Sequence, residues 1–447
     1  MAALAGSKHW GPTPPQTIVL SFALAITVGT VLLSLPAASA SGESIGLINA
    51  YFMASSATCV TGLVVVPTGA ALSLFGQLTI LALIQIGGLG LMTLATFFYA
   101  LIGRRITLRG RLLIQESLGR GSLSGLVRLL RSVFAFTVVC EAIGAALLTA
   151  RFALDMPLPR AAYFGVFHAV SAFCNAGFDL FGDSLERFAS DPLVVLTVTG
   201  LIIIGGLGFL VLQDIVERRK DGRLTLHTRI VLRVTGVLLA SAFALIFLME
   251  YRNPGTLGGL PAHGKFLSAW FMAVTPRTAG FNTVPTAMLR ESTILLVLAL
   301  MFVGASPAGT GGGIKTTTAW VFLGSMLSTL RGRHELESGG RSIPRDLVER
   351  AHAIGVLSTM LVLAVAGVLM FTEHTGFVSV LFETMSAFGT VGLSLGITAK
   401  LSTIGRILIP LTMLAGRVGP ITLAVALGPP KANSAGVHYP PERVLVG

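Results

Sequence analysis

Charge is scarce in this chain. Asp, Glu, Lys and Arg make up only 12% of its 447 residues, against about 25% in soluble domains, which excludes an ordinary soluble enzyme. Cysteine is scarce too. Cys59, Cys140 and Cys174 are an odd number at unrelated spacings, so they make neither a disulfide framework nor a zinc pattern. The histidines have no ligand spacing, and there is no nucleophile–base pair or carboxylate dyad to support catalysis. Polar composition is also missing. With 53% apolar residues the chain is not disordered, and its 52 glycines follow no period of three, which excludes a collagen. One sign of charge does dominate, with 32 basic residues against 20 acidic ones. In so apolar a chain that excess reports sidedness rather than nucleic-acid binding, because Lys and Arg accumulate on the cytoplasmic side of a membrane.

Long uncharged runs are present instead. Trp10 to Gly42 carries no charge, and after Glu43 neither does Ser44 to Gly103. One membrane helix needs about 20 residues. The run Thr17 to Pro36 is long enough to span, and longer than the apolar region of about 7–15 residues in a signal peptide. The second stretch is too long for one span, and its middle is polar. It reads as a short helix dipping in (Ser44 to Ala57), a loop (Thr58 to Gly62) and a full span (Ala71 to Gly103). Non-helical backbone at membrane depth is tolerated only where protein buries it or where it lines a water-filled cavity. The composition therefore points to a pore or transport site.

The same order recurs four times: a long apolar helix, a short helix ending in Ser or Thr, a glycine loop, and a second apolar helix. The loop glycines are Gly62, Gly177, Gly280 and Gly392, and a pentapeptide, Ile86-Gly87-Gly88-Leu89-Gly90, returns as Ile204-Gly205-Gly206-Leu207-Gly208. The expected organisation is an all-α polytopic membrane protein of four tandem helix–pore-loop–helix repeats, about eight spans, in pseudo-fourfold symmetry around one pore. The repeats cover 17–103, 125–216, 229–330 and 349–427. They are joined by cytoplasmic linkers 104–124, 217–228 and 331–348 and flanked by tails 1–16 and 428–447. Charge supports this sidedness. Arg104 to Arg131 holds seven arginines against Glu116, Glu217 to Arg233 six basic residues against two acidic, and Arg331 to Arg350 five arginines against four acids. These segments belong inside, with both termini inside and the glycine loops towards the outside.

At this point the chain resembles a family, the KtrB-type membrane subunit of the Ktr/Trk/HKT potassium transporter superfamily. The matching residues are Thr58-Cys59-Val60-Thr61-Gly62-Leu63, Cys174-Asn175-Ala176-Gly177-Phe178, Thr278-Ala279-Gly280-Phe281 (with Arg277 just before it counted in the filter) and Gly389-Thr390-Val391-Gly392-Leu393-Ser394. Gly309-Thr310-Gly311-Gly312-Gly313-Ile314-Lys315 and the arginine of Gly416-Arg417-Val418-Gly419 match as well. The resemblance covers residues 15 to 447. It implies four fused units around a potassium filter, and the chain's length suits the eight-span branch. It implies a homodimer with one pore per chain and a cytosolic ring of RCK-type subunits binding ATP, ADP or NAD(H). Potassium is then the cargo and sodium a stimulating ion, with no cofactor held by this chain, no nucleic-acid partner and a place in the bacterial inner membrane. In plant relatives a serine at the first filter glycine goes with sodium transport, so Gly62 favours potassium. The basic linkers, with Arg104, Arg105, Arg109 and Arg111, suit either docking of the ring or anionic lipid.

The residues agree with that reading on their own chemistry. A potassium filter replaces the ion's hydration shell with rings of backbone carbonyls, and glycine adopts the required backbone angles without steric cost. The third repeat's second helix, Ser292 to Leu330, should break at Gly304 to Lys315, since glycine and proline end helices. The family reading makes Gly309, Thr310, Gly311, Gly312, Gly313 and Lys315 an intramembrane gating loop. Gly313-Ile314-Lys315-Thr316 is no phosphate loop, because Ile314 separates Gly from Lys. Arg417 lies within an apolar run, where a charge costs at least about 2.5–3.5 kcal/mol and faces a cavity or a partner. The resemblance makes it a barrier to cations, and the bland reading pairs it with a carbonyl or carboxylate. Glu141 reads as a helix–helix hydrogen bond, and Asp179 and Asp183 as an outer vestibule that concentrates cations or is simply solvated. The competing class is a sodium-coupled or sodium-permeable secondary transporter with a midplane site on broken helices.

Overall fold

The computed structural model describes residues 13–90, 126–221, 224–333 and 335–427. The whole first linker, with Arg104, Arg105, Arg109 and Arg111, and the tail from 428 onwards lie outside the described residues.

The described chain is mostly helical. It runs through α1 (Pro14–Ser34), α2 (Leu47–Cys59), a short α3 (Thr68–Ala71) and α4 (Leu74–Leu89). Next come α5 (Leu126–Phe152), α6 (Leu158–Phe173), α7 (Pro192–Leu207) and α8 (Phe209–Asp221). The third stretch holds α9 (Leu226–Glu250), α10 (Ala262–Val274), α11 (Glu291–Phe302) and α12 (Thr316–Leu330). A two-stranded hairpin, β1 (Glu337–Ser338) and β2 (Arg341–Ser342), turns through Gly339 and Gly340 at φ 60° and 76°, a turn that suits paired glycines. The fourth stretch is α13 (Arg345–Thr372), α14 (Phe377–Gly389), α15 (Thr403–Val418) and α16 (Pro420–Leu427). Residue chemistry sets the starts. Two prolines open α1, which suits a first turn whose amides have no partner. Side chains of Ser73, Asp191, Thr225 and Ser402 accept amide hydrogen bonds from the first turns of α4, α7, α9 and α15.

Among the described residues four helices, α1, α5, α9 and α13, are long and apolar enough to cross a membrane, or up to six spans if each bent pair is counted as one. The expectation of about eight also counts Ala71 to Gly103, described only as far as Gly90, and Ser292 to Leu330, which is broken into α11 and α12. A single break was expected, at Gly304 to Lys315. The structure has that break between α11 and α12, but α7 and α8 also meet at 94° and α15 and α16 at 103°. The corners are Gly208 and Gly419 at φ 90° and 95°, and α4 stops at Gly90, φ 82°, a backbone conformation that glycine adopts freely. The span expected from Ala71 to Gly103 is described as far as α4, and residues 91–103 lie outside the described residues. The dipping helix runs to Cys59 rather than Ala57, so the first loop starts later than its sequence suggests.

The short helices α2, α6 and α14 are held by backbone approach. A Cβ on Gly87, Gly205 or Gly416 would stand 2.0, 2.0 or 1.8 Å from the carbonyl oxygen of Thr58, Phe173 or Phe388. These glycines let α4, α7 and α15 press on the ends of α2, α6 and α14. The repeated pentapeptide thus carries a packing glycine and a corner glycine. Gly205→Ala should lower the melting temperature of the purified protein, because overpacking costs about 1–3 kcal/mol and a backbone carbonyl cannot swing away. Gly200→Ala, on the same helix with nothing within 4 Å of the added carbon, should leave it unchanged or raise it.

Candidate functional site

The four glycine loops, 103 to 115 residues apart along the chain, meet in space. A Cβ on Gly62 would lie 3.0 Å from the Cα of Gly177, one on Gly177 3.0 Å from Gly280, one on Gly280 3.1 Å from Gly392, and one on Gly392 3.1 Å from Gly62. The contacts close into a ring in chain order, with Gly177 opposite Gly392. Each added carbon would also strike the neighbouring loop's carbonyl oxygen, that of Ala176, Ala279, Val391 or Thr61, at 2.2–2.7 Å.

The backbone of the four loops follows one pattern. The ring glycines have φ of 91°, 69°, 79° and 95°, and two residues earlier Val60, Asn175, Thr278 and Thr390 have φ of 59°, 59°, 71° and 51°. The residues between, Thr61, Ala176, Ala279 and Val391, are not left-handed. Glycine was expected to supply the unusual angles. Half of them fall instead on residues with side chains, three of them β-branched, where the left-handed region is a real outlier. Such strain costs about 1–3 kcal/mol per residue and persists only where surroundings over-determine it.

The surroundings do so with hydroxyl groups, to which the sequence reading gives no role beyond ending the short helices. The Ser56 hydroxyl accepts from the Gly62 amide at 3.1 Å, and that of Ser386 from the Gly392 amide at 3.0 Å. Ser171 donates to the Phe178 carbonyl at 2.8 Å, and Thr275 donates to that of Phe281. The signal was legible as a Ser or Thr five or six residues before each ring glycine. Neighbouring loops are also tied: the Thr278 hydroxyl donates to the Asn175 amide oxygen at 3.2 Å, while the Asn175 nitrogen faces the carbonyls of Ala172 and Ile202.

The structure places Thr58 and Cys59 in the last turn of α2, Gly389 at the end of α14, and Cys174 as the cap of α6. Arg277 sits in the turn before Thr278 and is buried, with no partner for its Nε. Thr58, Cys59, Val60, Thr61, Cys174, Asn175, Ala176, Thr278, Ala279, Thr390 and Val391 are all fully buried, as irregular backbone at membrane depth requires. The hydroxyls of Thr58 and Thr61 are buried without a partner among the described residues.

The break between α11 and α12 packs against these loops. The Gly312 amide donates to the Thr390 hydroxyl at 2.9 Å, and the Thr310 hydroxyl donates to the Phe173 carbonyl at 3.3 Å. A Cβ on Gly311 would lie 1.9 Å from the Thr278 hydroxyl, and one on Gly309 3.0 Å from the Gly206 carbonyl. Gly313 has φ 67°, and its amide bonds to the Gly416 carbonyl at 3.2 Å. Lys315 curls back to donate to the Gly311 carbonyl at 2.6 Å.

Arg417 joins three of the four stretches. From the last turn of α15 its guanidinium donates to the carbonyls of Thr310 and Gly87. In the repeated motif, Gly416-Arg417-Val418-Gly419 takes the place of Gly87-Gly88-Leu89-Gly90 and Gly205-Gly206-Leu207-Gly208, so an arginine stands where the other copies have glycine. It is paired with carbonyls, and it also lines a cavity of about 240 Å³ together with Lys315, Gly309, Gly311, Ala308 and Thr422.

Glu141 accepts from the Gln85 amide at 3.3 Å, which is the helix–helix bond expected of it. Asp179 accepts from the Gly182 amide at 2.6 Å, and Asp183 is ion-paired with Arg187 at 2.8 Å, so both are engaged locally.

A sequence model of the TrkH family, a cation transport protein family, matches residues 13–435. The Ktr system potassium uptake protein B of Bacillus subtilis strain 168 is 42% identical over 435 residues, covering 97% of each chain. The protein of the same name in Vibrio alginolyticus is 40% identical over 435 residues, 97% of this chain and 95% of that one. The potassium/sodium uptake protein NtpJ of Enterococcus hirae is 38% identical over 441 residues, 97% of each. The crystal structure of the potassium transporter TrkH from Vibrio parahaemolyticus superposes with a TM-score of 0.75 at 18% identity, covering 94% of this chain and 86% of that chain, which shows the same fold.

Proposed function

The chain belongs to the TrkH cation transport protein family, and on that premise we propose that it is the potassium-translocating, channel-like subunit of a bacterial potassium uptake system. The observation that carries the proposal is the closed ring of Gly62, Gly177, Gly280 and Gly392 with its alternating left-handed backbone. A chain that alternates between left-handed and ordinary angles turns consecutive carbonyls to one side. Four such chains around a common axis make stacked oxygen rings, the means by which a filter replaces hydration water. In this reading the four stretches are pseudo-fourfold repeats, and the loops 58–62, 174–177, 277–280 and 389–392 are the filter. The unpartnered hydroxyls of Thr58 and Thr61 suit oxygen ligands for a monovalent cation.

The broken segment 304–315 is the gate beneath the filter, and Arg417 its latch. Lys315 and Arg417 place positive charge in the cavity that a cation must cross. The inside-negative membrane potential drives uptake, at about 2.3 kcal/mol per charge per 100 mV, so the path must be controlled. We assign that control to a cytosolic RCK-type ring binding ATP, ADP or NAD(H), docked on the basic inner segments of a homodimer in the inner membrane. Sodium acts as a stimulating ion.

A sodium-coupled or sodium-permeable transporter is the second reading, favoured by the potassium/sodium uptake protein of E. hirae among the relatives. Proteoliposomes with an imposed potassium gradient and no sodium gradient separate the two. The channel reading expects potassium flux that follows the electrochemical gradient, and flux that requires a sodium gradient would refute it.

A further inference from the structure

The braces Ser56, Ser171, Thr275 and Ser386 define one equivalent position in the four short helices, and one turn earlier a second such position differs sharply between them. Three residues before the brace stand Met53, His168, Met272 and Glu383. All four are buried. Two are apolar fillers and two are polar, and the polar pair belongs to the loops of Gly177 and Gly392, which face each other across the ring.

Both polar side chains grip the limb that leaves the ring glycine. His168 Nδ1 bonds to the Phe164 carbonyl at 2.7 Å, so that nitrogen carries the hydrogen and Nε2 accepts from the Leu180 amide at 3.4 Å. Leu180 lies three residues past Gly177. The ring of His168 is fixed edge-on by Phe152 and Phe167 and flanked by Phe181. Glu383 accepts from the Ser394 hydroxyl at 2.7 Å and from the Thr398 hydroxyl. Ser394 and Thr398 lie two and six residues past Gly392, and their hydroxyl oxygens stand 3.0 Å apart. A fully buried carboxylate is expensive unless hydrogen-bonded, and here both oxygens are engaged by the outgoing limb of its own loop.

We propose that His168 and Glu383 are positioning residues for cation selection: acting through the outgoing limbs of two opposite loops, they hold the ring to the width that favours potassium over sodium. The inference rests on the filter reading above. Selection by backbone oxygens requires that their spacing resist collapse onto a smaller ion. Loops held by a hydrogen-bonded side chain on one diagonal supply that resistance, while methionine, flexible and adaptable, fills the same position on the other diagonal.

The test is the ratio of potassium to sodium flux through the full chain in proteoliposomes. His168→Met and Glu383→Met install the residue that the other two loops already carry at this position. Thr398→Val removes a Glu383 partner without touching the short helix. Each should lower the ratio roughly fivefold, the effect of about one net hydrogen bond. Glu383→Gln, which keeps one accepting oxygen and the side chain's shape, should restore most of it. Met53→Leu and Met272→Leu should leave it unchanged. An unaltered ratio in the His168, Glu383 and Thr398 variants, from a selective wild type, would overturn this inference and leave the filter reading standing. An equal fall in the Met53 and Met272 controls would overturn it too, by assigning the effect to packing. A wild type that does not favour potassium would overturn both.

Discussion

Arg417→Ala should raise cation flux through the reconstituted protein about tenfold or more. The guanidinium forms hydrogen bonds to the carbonyls of Thr310 on the broken segment and Gly87 on α4. Bonds to charged groups contribute about 1.5–3 kcal/mol each, and 1.4 kcal/mol is a factor of ten in an equilibrium. If the segment must part from Arg417 to open, losing even one bond shifts the closed–open balance by that factor. The same substitution removes a fixed positive charge from a cavity of about 240 Å³, which lowers the barrier further. Arg417→Lys keeps the charge but replaces a planar fork that reaches two acceptors with a single point donor, so its flux should fall between the two. Circular dichroism and size-exclusion profiles matched to wild type establish that each variant is folded. Unchanged flux in a folded Arg417→Ala protein would make the residue a static brace.

The second large effect is a loss. Gly392→Ala should reduce potassium flux to the level of protein-free vesicles. The residue has φ 95°, and an added Cβ would stand 2.2 Å from the Thr61 carbonyl oxygen and about as close to two ring glycines as any side chain can come, 3.1 Å from the Cα atoms of Gly280 and Gly62. Backbone strain of about 1–2 kcal/mol for a non-glycine residue in the left-handed region adds to the clash. Relief would require the loops of Gly62 and Gly280 to move outward, which breaks the ring at three of its four members. Gly396→Ala is the matched control: it also has positive φ, 91°, but no atom within 4 Å of the added carbon, so it carries the backbone strain without the obstruction and should retain most of its flux. Equal losses in both variants would assign the effect to strain alone.

Much of this site was legible in the sequence, and what was not has identifiable causes. The four glycines and the isolated charges Arg417 and Lys315 stood out because apolar surroundings make a polar or conformationally special residue conspicuous. The ring order did not, since it depends on contacts between loops more than a hundred residues apart. The left-handed angles at Val60, Thr278 and Thr390 run against residue propensity and are held by side-chain hydrogen bonds from Ser56, Ser386 and their counterparts six or seven residues away. The corners at Gly208 and Gly419 were hidden because an apolar run reads the same whether its helix is straight or bent. Arg417's partners are backbone carbonyls, which no side-chain pattern announces. Glu383 lay inside an ordinary amphiphilic helix and gained meaning only beside Thr398.

The central claim is that the ring of four glycines selects potassium. Potassium and sodium uptake into proteoliposomes, with and without the cytosolic ring, compared for wild type and Gly62→Ser, tests it most directly. The added Cβ would lie 2.5 Å from the Ala176 carbonyl oxygen, so the account predicts a wild type that favours potassium and a variant whose preference is lost or shifted towards sodium. Potassium selectivity that survives the substitution unchanged would contradict it.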